Sequence, residues 1–236
     1  MERLLITGAS GKLGREIAKV FPYAFTPSHE ELDITDLLLV DDYLKRNKIE
    51  SIIHCAALTS VRLCDEERDW AYWMNVEGTY NLLRPDIYFI YISTACVFPG
   101  KVEDGMYFED DEPAPVNYYG FTKMEAERYV RLQGNSLIVR TNFAPRGKWP
   151  YSHAFIDRFG TYLYPDQIAK KLAEIYTYKP RGVIHICGDR VFSMYQFARL
   201  EDPSVKPTTL EEYQGPHLTQ NMALGSLREG EVSFEY

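Results

Sequence analysis

The stretch Leu4-Leu5-Ile6-Thr7-Gly8-Ala9-Ser10-Gly11-Lys12-Leu13-Gly14 decides how the rest of the chain is read. Three apolar residues run into a glycine turn, the pattern of a short buried strand. Leu13, Ile17, Ala18, Val20 and Phe21 then recur at helical spacing until Pro22 stops the helix. Each glycine has its own task. Gly8 supplies the backbone angles of a tight turn, Gly11 lets the chain approach a pyrophosphate, and Gly14 lets helix and strand pack closely. The phosphates would sit over Ser10, Gly11, Lys12 and Leu13 at the helix start, where N–H groups and the helix dipole favour an anion. A strand–turn–helix that holds nothing is the bland alternative, and a glycine pattern alone does not exclude it.

Working outward, short strands alternate with helices. Tyr23 to Thr26 reads as a second strand, 36–46 as helix, Ser51 to Ala56 as strand and Trp70 to Leu83 as one long helix. Tyr88 to Ile92 is the next strand, Tyr118 to Gln133 a helix and Ser136 to Arg140 a strand. This alternation predicts an α/β fold: a doubly wound parallel sheet of the Rossmann type, with ligands at the C-terminal strand ends. The dinucleotide-binding core spans 1–140, and 141–236 forms a small, reduced substrate-binding part that completes the sheet. Within it, 144–160 reads as loop, 166–176 as helix, 182–187 as a sixth strand and 193–200 as a short helix, followed by a turn-rich end.

The bulk properties narrow the partners. The chain has 236 residues, 45% hydrophobic and 25% charged, as a globular protein requires. A formal net charge of −8 without a basic patch argues against nucleic acid. No apolar run is long enough for a membrane span, and the early first strand leaves no room for a signal peptide. Cys55, Cys64, Cys96 and Cys187 are scattered, and neither they nor the five histidines show metal-ligand spacing. A cytoplasmic location and no metal are therefore expected.

Two further motifs carry chemistry. In Tyr119-Gly120-Phe121-Thr122-Lys123 the tyrosine and lysine lie four apart on one helix face. A free phenol has a pKa near about 10, and a neighbouring ammonium lowers it. Tyr119 would then give a proton to a carbonyl while hydride arrives from a nicotinamide. Such a pair also arises by chance. In Ile92-Ser93-Thr94-Ala95-Cys96 a hydroxyl stands at a strand exit, on the ligand edge of the sheet, where Thr94 could hold the same carbonyl or merely cap the strand. The cofactor choice between NADP and NAD turns on Thr26-Pro27-Ser28-His29, where no acid follows the second strand. Ser28 and His29, with Lys12, favour NADP; Glu30 or Glu31 swinging in would favour NAD.

Taken together, the motifs resemble the extended short-chain dehydrogenase/reductase family, and within it the dTDP-4-dehydrorhamnose reductases. The matching pieces are TGASGKLG at 7–14, LDITD at 32–36, AALTSV at 56–61, MNVEGT at 74–79, STACVF at 93–98, PVNYYGFTK at 115–123 and VRT at 139–141. The resemblance implies that Thr94, Tyr119 and Lys123 are the catalytic hydroxyl, acid and lysine. It implies that Lys123 also holds the nicotinamide ribose, that Asn75 supports the active-site backbone, that Asp33 and Ile34 lie near the adenine, and that Ala56 and Ala57 lie under the cofactor. The substrate would be a sugar nucleotide, bound by Thr94, Asn142 and Phe143, and a homodimer stays open. Three departures put the substrate in question: about 20 residues between Arg140 and Gly160, Asn142-Phe143 where these reductases have Ser-Trp, and Gly215-Pro216 where they have Arg-Pro. Ala95-Cys96 replaces the Asp-Glu pair of the related dehydratases, and the chain is short for an epimerase. The rival is a cofactor-binding regulatory or interaction protein of the same fold, as the regulatory subunit of methionine adenosyltransferase illustrates.

Overall fold

The computed structural model describes residues 2–234 apart from 102, 104 and 229. In chain order the first half runs β1 (Leu4–Thr7), α1 (Lys12–Val20), α2 (Leu37–Asn47), β2 (Ser51–His54), α3 (Val61–Glu66), α4 (Arg68–Tyr72), a π-turn (Trp73–Glu77), α5 (Gly78–Leu82), β3 (Tyr88–Thr94) and α6 (Tyr118–Gln133). The second half runs β4 (Ser136–Thr141), β5 (His153–Phe155), β6 (Phe159–Gly160), α7 (Pro165–Tyr176), β7 (Gly182–Gly188), β8 (Phe192–Ser193), α8 (Met194–Glu201), β9 (Lys206–Thr208), β10 (Asn221–Met222) and β11 (Glu231–Val232).

Six strands form one sheet in the order β1-β2-β3-β4-β7-β11, every pair parallel. Alternate side chains sort to opposite faces, as a pleated strand requires. Leu4 and Ile6, Ile90 and Ile92, Leu137 and Val139 pack with α1 and α7 on one face. Leu5, Ile52, Phe89, Tyr91 and Ile138 pack on the other, against Val40 and Leu44 of α2, Leu82 of α5 and Val130 of α6. A sheet covered on both faces explains why its strands read as unbroken apolar runs.

The second strand expected at Tyr23 to Thr26 shrinks to a bridge between Phe25 and Leu5, held by Phe25 N–H to Leu4 O at 2.8 Å and Ile6 N–H to Phe25 O at 2.9 Å. Pro22 and Pro27 flank it and lack the N–H groups a longer ladder needs. The bridge still fixes the topology. The chain leaves β1, touches its outer edge at Phe25, and returns through α2 to β2 on its inner edge. The crevice at the C-terminal ends of β1 and β2 is thus the switch point of the sheet.

The helix expected over 70–83 is divided, with α3 preceding it and the π-turn widening its middle. The segment expected as loop, 144–160, contains β5 and β6. Small secondary sheets, β10-β6-β8 and β5-β9, join it to the turn-rich C-terminal segment. Among the described residues, no helix is long and apolar enough to cross a membrane.

Candidate active site

The glycine loop is a tightly built cradle. Gly8 has φ 68°, and a Cβ there would lie 2.6 Å from Ala56 N. A Cβ on Gly14 would lie 2.2 Å from Gly8 O, so only hydrogen fits where α1 folds back on the loop. Gly11 differs: its Cβ would meet nothing within 4 Å except Gly8 O at 3.2 Å, so it faces space. Gly11 is also the N-cap of α1 and no side chain caps the helix, which leaves its first N–H groups available to an anion.

Above this loop lies a cleft of about 350 Å³. It gathers Gly8, Ser10, Gly11, Ser28, His29, Ile34, Ala56 and Ala57 from the residues expected to hold a cofactor. Lys12, Leu13, Gly14, Asp33, Tyr119 and Lys123 do not line it. Leu13 is buried in the core and Gly14 serves the helix contact. The Asp33 carboxylate is turned onto its own backbone turn, accepting Thr35 N–H at 2.9 Å and the Thr35 hydroxyl at 2.7 Å. Burial opposes its ionisation, yet those two bonds and His29 outweigh it and hold the carboxyl below its ordinary range. Glu31 accepts Ser28 N–H at 2.8 Å, which puts an acid at the rim beside Ser28. The sequence reading missed Trp70 and Met74, which form part of the wall. An exposed tryptophan beside a helix turn was the available signal, and Trp70 was read only as the start of a helix. The open Gly11 face, the uncapped helix and the small residues Ala56 and Ala57 fit a dinucleotide.

Beside the cleft, the exit of β3 meets the first turn of α6. Asn117 caps that helix, accepting Gly120 N–H at 2.9 Å. A Cβ on Gly120 would lie 2.1 Å from Cys96 O, so glycine lets α6 press against the loop after β3. This contact brings Tyr119 close to Thr94, near enough for Thr94 to bear on the ionisation of the phenol. Burial chiefly, with Cys96 nearby, raises the Tyr119 pKa and Thr94 only partly offsets this, so the lowering expected from the neighbouring ammonium is outweighed. Lys123, one turn on, is buried. Its ammonium donates to Ile92 O at 2.8 Å and sits 4.1 Å from the centre of the Tyr91 ring. Burial pushes its pKa down to about 7, against the opposing pull of Glu127.

Asn75 bolts three elements together. It accepts Leu58 N–H at 2.7 Å and donates to Leu58 O and to Thr122 Oγ1, both at 3.0 Å. The loop after β2 is thereby tied to the residue next to Lys123. A second buried network was not foreseen. Glu127 takes two bonds from Arg140, at 3.0 and 2.7 Å, and one from the Ser93 hydroxyl at 2.6 Å. Ser93 precedes Thr94, so the network ties α6 to the end of β3. His54 at the end of β2 bonds Thr7 at 2.6 Å and Thr79 at 3.0 Å, and burial pushes its pKa down to about 3.

After β4, Asn142 lies beside Tyr162, and Gly160 has no room for a side chain against the Asn142 amide. Phe143 is half-buried and bridges to Leu163. The C-terminal segment closes over from the far side: Arg62 on α3 reaches Gln214 O at 2.6 Å, and Asn117 contacts Thr219 Oγ1 at 3.4 Å.

Residues 1–147 match the family described as the RmlD substrate binding domain. The chain belongs to that family. It is 32% identical to a dTDP-4-dehydrorhamnose reductase of Aggregatibacter actinomycetemcomitans, over 89% of this chain and 82% of the relative. Among solved structures, a dTDP-4-dehydrorhamnose reductase from Clostridium acetobutylicum superposes with a TM-score of 0.89 at 30% identity, covering 99% of this chain and 95% of that one. Another from Bacillus anthracis, in complex with NADP, gives a TM-score of 0.86 at 26% identity, with 95% and 90% covered. The fold of this family member is the doubly wound α/β sheet that its sequence implies.

Proposed function

We propose that the protein is an NAD(P)H-dependent oxidoreductase of the short-chain dehydrogenase/reductase type that reduces the keto group of a sugar nucleotide, with dTDP-4-dehydrorhamnose as the first candidate. The observation that carries this reading is the meeting of Thr94, Tyr119 and Lys123 at the open end of β3, beside a glycine-built cleft. The named reductases among the relatives support it.

When bound, the nicotinamide supplies hydride to the carbonyl carbon. Tyr119 Oη supplies the proton to the carbonyl oxygen, which its protonated state allows. Thr94, close enough to bear on that phenol's ionisation, would hold the same oxygen through Oγ1. Lys123, charged near neutral pH or below, would favour the phenolate left behind, since a nearby ammonium stabilises an anion. The N–H groups opening α1 would take the pyrophosphate, and Ala56 and Ala57 leave room for the dinucleotide. Ser28 and His29 at the rim favour NADP, whereas Glu31 on Ser28 is the group that favours NAD. A boundary near Arg140, a cytoplasmic location and a homodimer belong to the same proposal. An intact proton donor set weighs against a purely regulatory role.

The test is Tyr119→Phe. With dTDP-4-dehydrorhamnose and NADPH or NADH, nicotinamide oxidation should fall about 10²–10⁴-fold, while cofactor affinity read by nicotinamide fluorescence stays close to wild type. Full turnover in this variant would overturn the assignment.

A further inference from the structure

Lys123 is 3% exposed, and its ammonium has three donors to place. Its one directed bond among the described residues goes to Ile92 O at 2.8 Å. Glu127, one turn further along α6, is the acid that pulls on it, but that carboxylate is already spent. It takes Arg140 Nε at 3.0 Å, Arg140 Nη2 at 2.7 Å and the Ser93 hydroxyl at 2.6 Å. A buried charge is costly unless something compensates it. The compensation on the sheet side is the face of the Tyr91 ring, whose centre lies 4.1 Å from Nζ.

Tyr91 is firmly seated. It is fully buried, on the face of the sheet that packs against Ala126 and Val130 of α6. His54, its register partner on β2, stacks beside it with ring centres 5.8 Å apart and planes at 29°. His54 is in turn held by Thr7 and Thr79. The other titratable groups near the ammonium carry no charge at neutral pH. Burial pushes the Cys55 thiol after β2 up to about 12 and the Cys64 thiol on α3 up to about 11, and pushes His54 down to about 3. Tyr119 on α6 is likewise raised, and Glu127 is balanced by Arg140.

An aromatic face and a carboxylate support a cation differently. The ring attracts the ammonium through its quadrupole. It neither neutralises the charge nor takes up its donors as a carboxylate would. The charge and two N–H groups of Lys123 stay available toward the cleft, whose wall includes Cys55. We propose that Tyr91 is a positioning residue whose ring face keeps the buried Lys123 charged while leaving that charge free to act on the phenolate formed at Tyr119. The need for such a charge rests on the reductase reading; the contact itself does not. The structural alternative is that Tyr91 only fills the core beneath α6.

The test alters the ring without altering its shape. Tyr91→Phe keeps the face, and trifluorophenylalanine introduced at position 91 keeps the shape but drains the face of negative charge. Lysine labelled at Cε reports the titration of Lys123 by nuclear magnetic resonance, the signal being assigned by its loss in Lys123→Arg. In the wild type Lys123 should titrate near pH 7, and Tyr91→Phe should stay close to this. The fluorinated ring favours the ammonium less, so Lys123 should lose its proton about one pH unit lower, a roughly 10-fold change. With dTDP-4-dehydrorhamnose and NADPH, the alkaline fall of kcat/KM should move down with it. A fluorinated protein with native circular dichroism whose Lys123 titrates as in the wild type would assign Tyr91 to packing and overturn the proposal. A turnover profile that stays in place while Lys123 moves would overturn it too. If Lys123 follows the ring but the wild type reduces no keto sugar nucleotide, the hold of Tyr91 on Lys123 stands and the reductase reading falls.

Discussion

Glu127→Gln probes whether the buried pair beneath the candidate site holds α6 to the sheet. Glu127 is 2% exposed and Arg140 0%, so water compensates neither. Glutamine keeps one acceptor, for Ser93 or for Arg140 Nε, but turns an N–H₂ group toward Arg140 Nη2, where a carboxylate oxygen had accepted at 2.7 Å. An uncompensated guanidinium remains in the core. Breaking a buried pair from one side costs about 3–5 kcal/mol. A chain of this length loses roughly 2–4 °C per kcal/mol, so Tm should fall by about 6–20 °C. The contact of Glu127 with the half-exposed Arg131 is longer, at 3.8 Å, and adds less. Adding Arg140→Met removes the stranded charge and leaves an apolar chain over Phe98, so the double variant should regain most of the loss. Thermal and urea unfolding followed by circular dichroism read both. A loss under about 1 kcal/mol in the single variant, or a double variant no more stable than the single, would refute the account.

Two glycines should respond differently to substitution. Gly11→Asp, on the open face, should fold normally yet lose nicotinamide dinucleotide binding in a fluorescence titration, whereas Gly14→Ala should lose stability because its Cβ meets Gly8 O; a stable, cofactor-binding Gly14→Ala would be inconsistent with the cradle. Acid should unfold the protein early. Burial pushes His54 down to about 3 and His185 to about 4, against about 6.5 in the unfolded chain. The unfolded state alone takes up these protons as pH falls below 6.5, so stability drops from there toward pH 4, by up to about 1.4 kcal/mol per pH unit for each histidine. Urea midpoints at pH 7 and 4.5 measure the slope, and His54→Gln should flatten it; an equally steep slope in that variant would show that His54 is not its source.

Much of the fold was legible because its signals are local. The run Leu4-Leu5-Ile6 followed by three spaced glycines carries its own turn geometry, and Asn117 before Tyr118 marks a helix start. Phe25 was overread as a strand because its β-rich neighbours suggest a ladder that Pro22 and Pro27 forbid. Helical spacing placed Tyr119 and Lys123 on one face, but only tertiary packing at Gly120 presses that face against Thr94. Glu127, Arg140 and Ser93 were invisible as a unit because they come from three elements and share no spacing.

The π-turn at Trp73–Glu77 shifts the phase of the helix it interrupts. An α-helix repeats its face every 3.6 residues, so one extra residue rotates all that follows by about 100°. Trp70 and Met74 can then look onto the cleft, Asn75 and Val76 turn inward side by side, and Thr79 and Leu82 still meet the sheet. One continuous stretch of chain, divided by the π-turn, thus serves two surfaces that a uniform helix could not address together. Loss of a single codon inside the turn would restore a regular helix while swinging Asn75 away from Leu58 and Thr122. Length, more than side-chain identity, is what this segment must preserve.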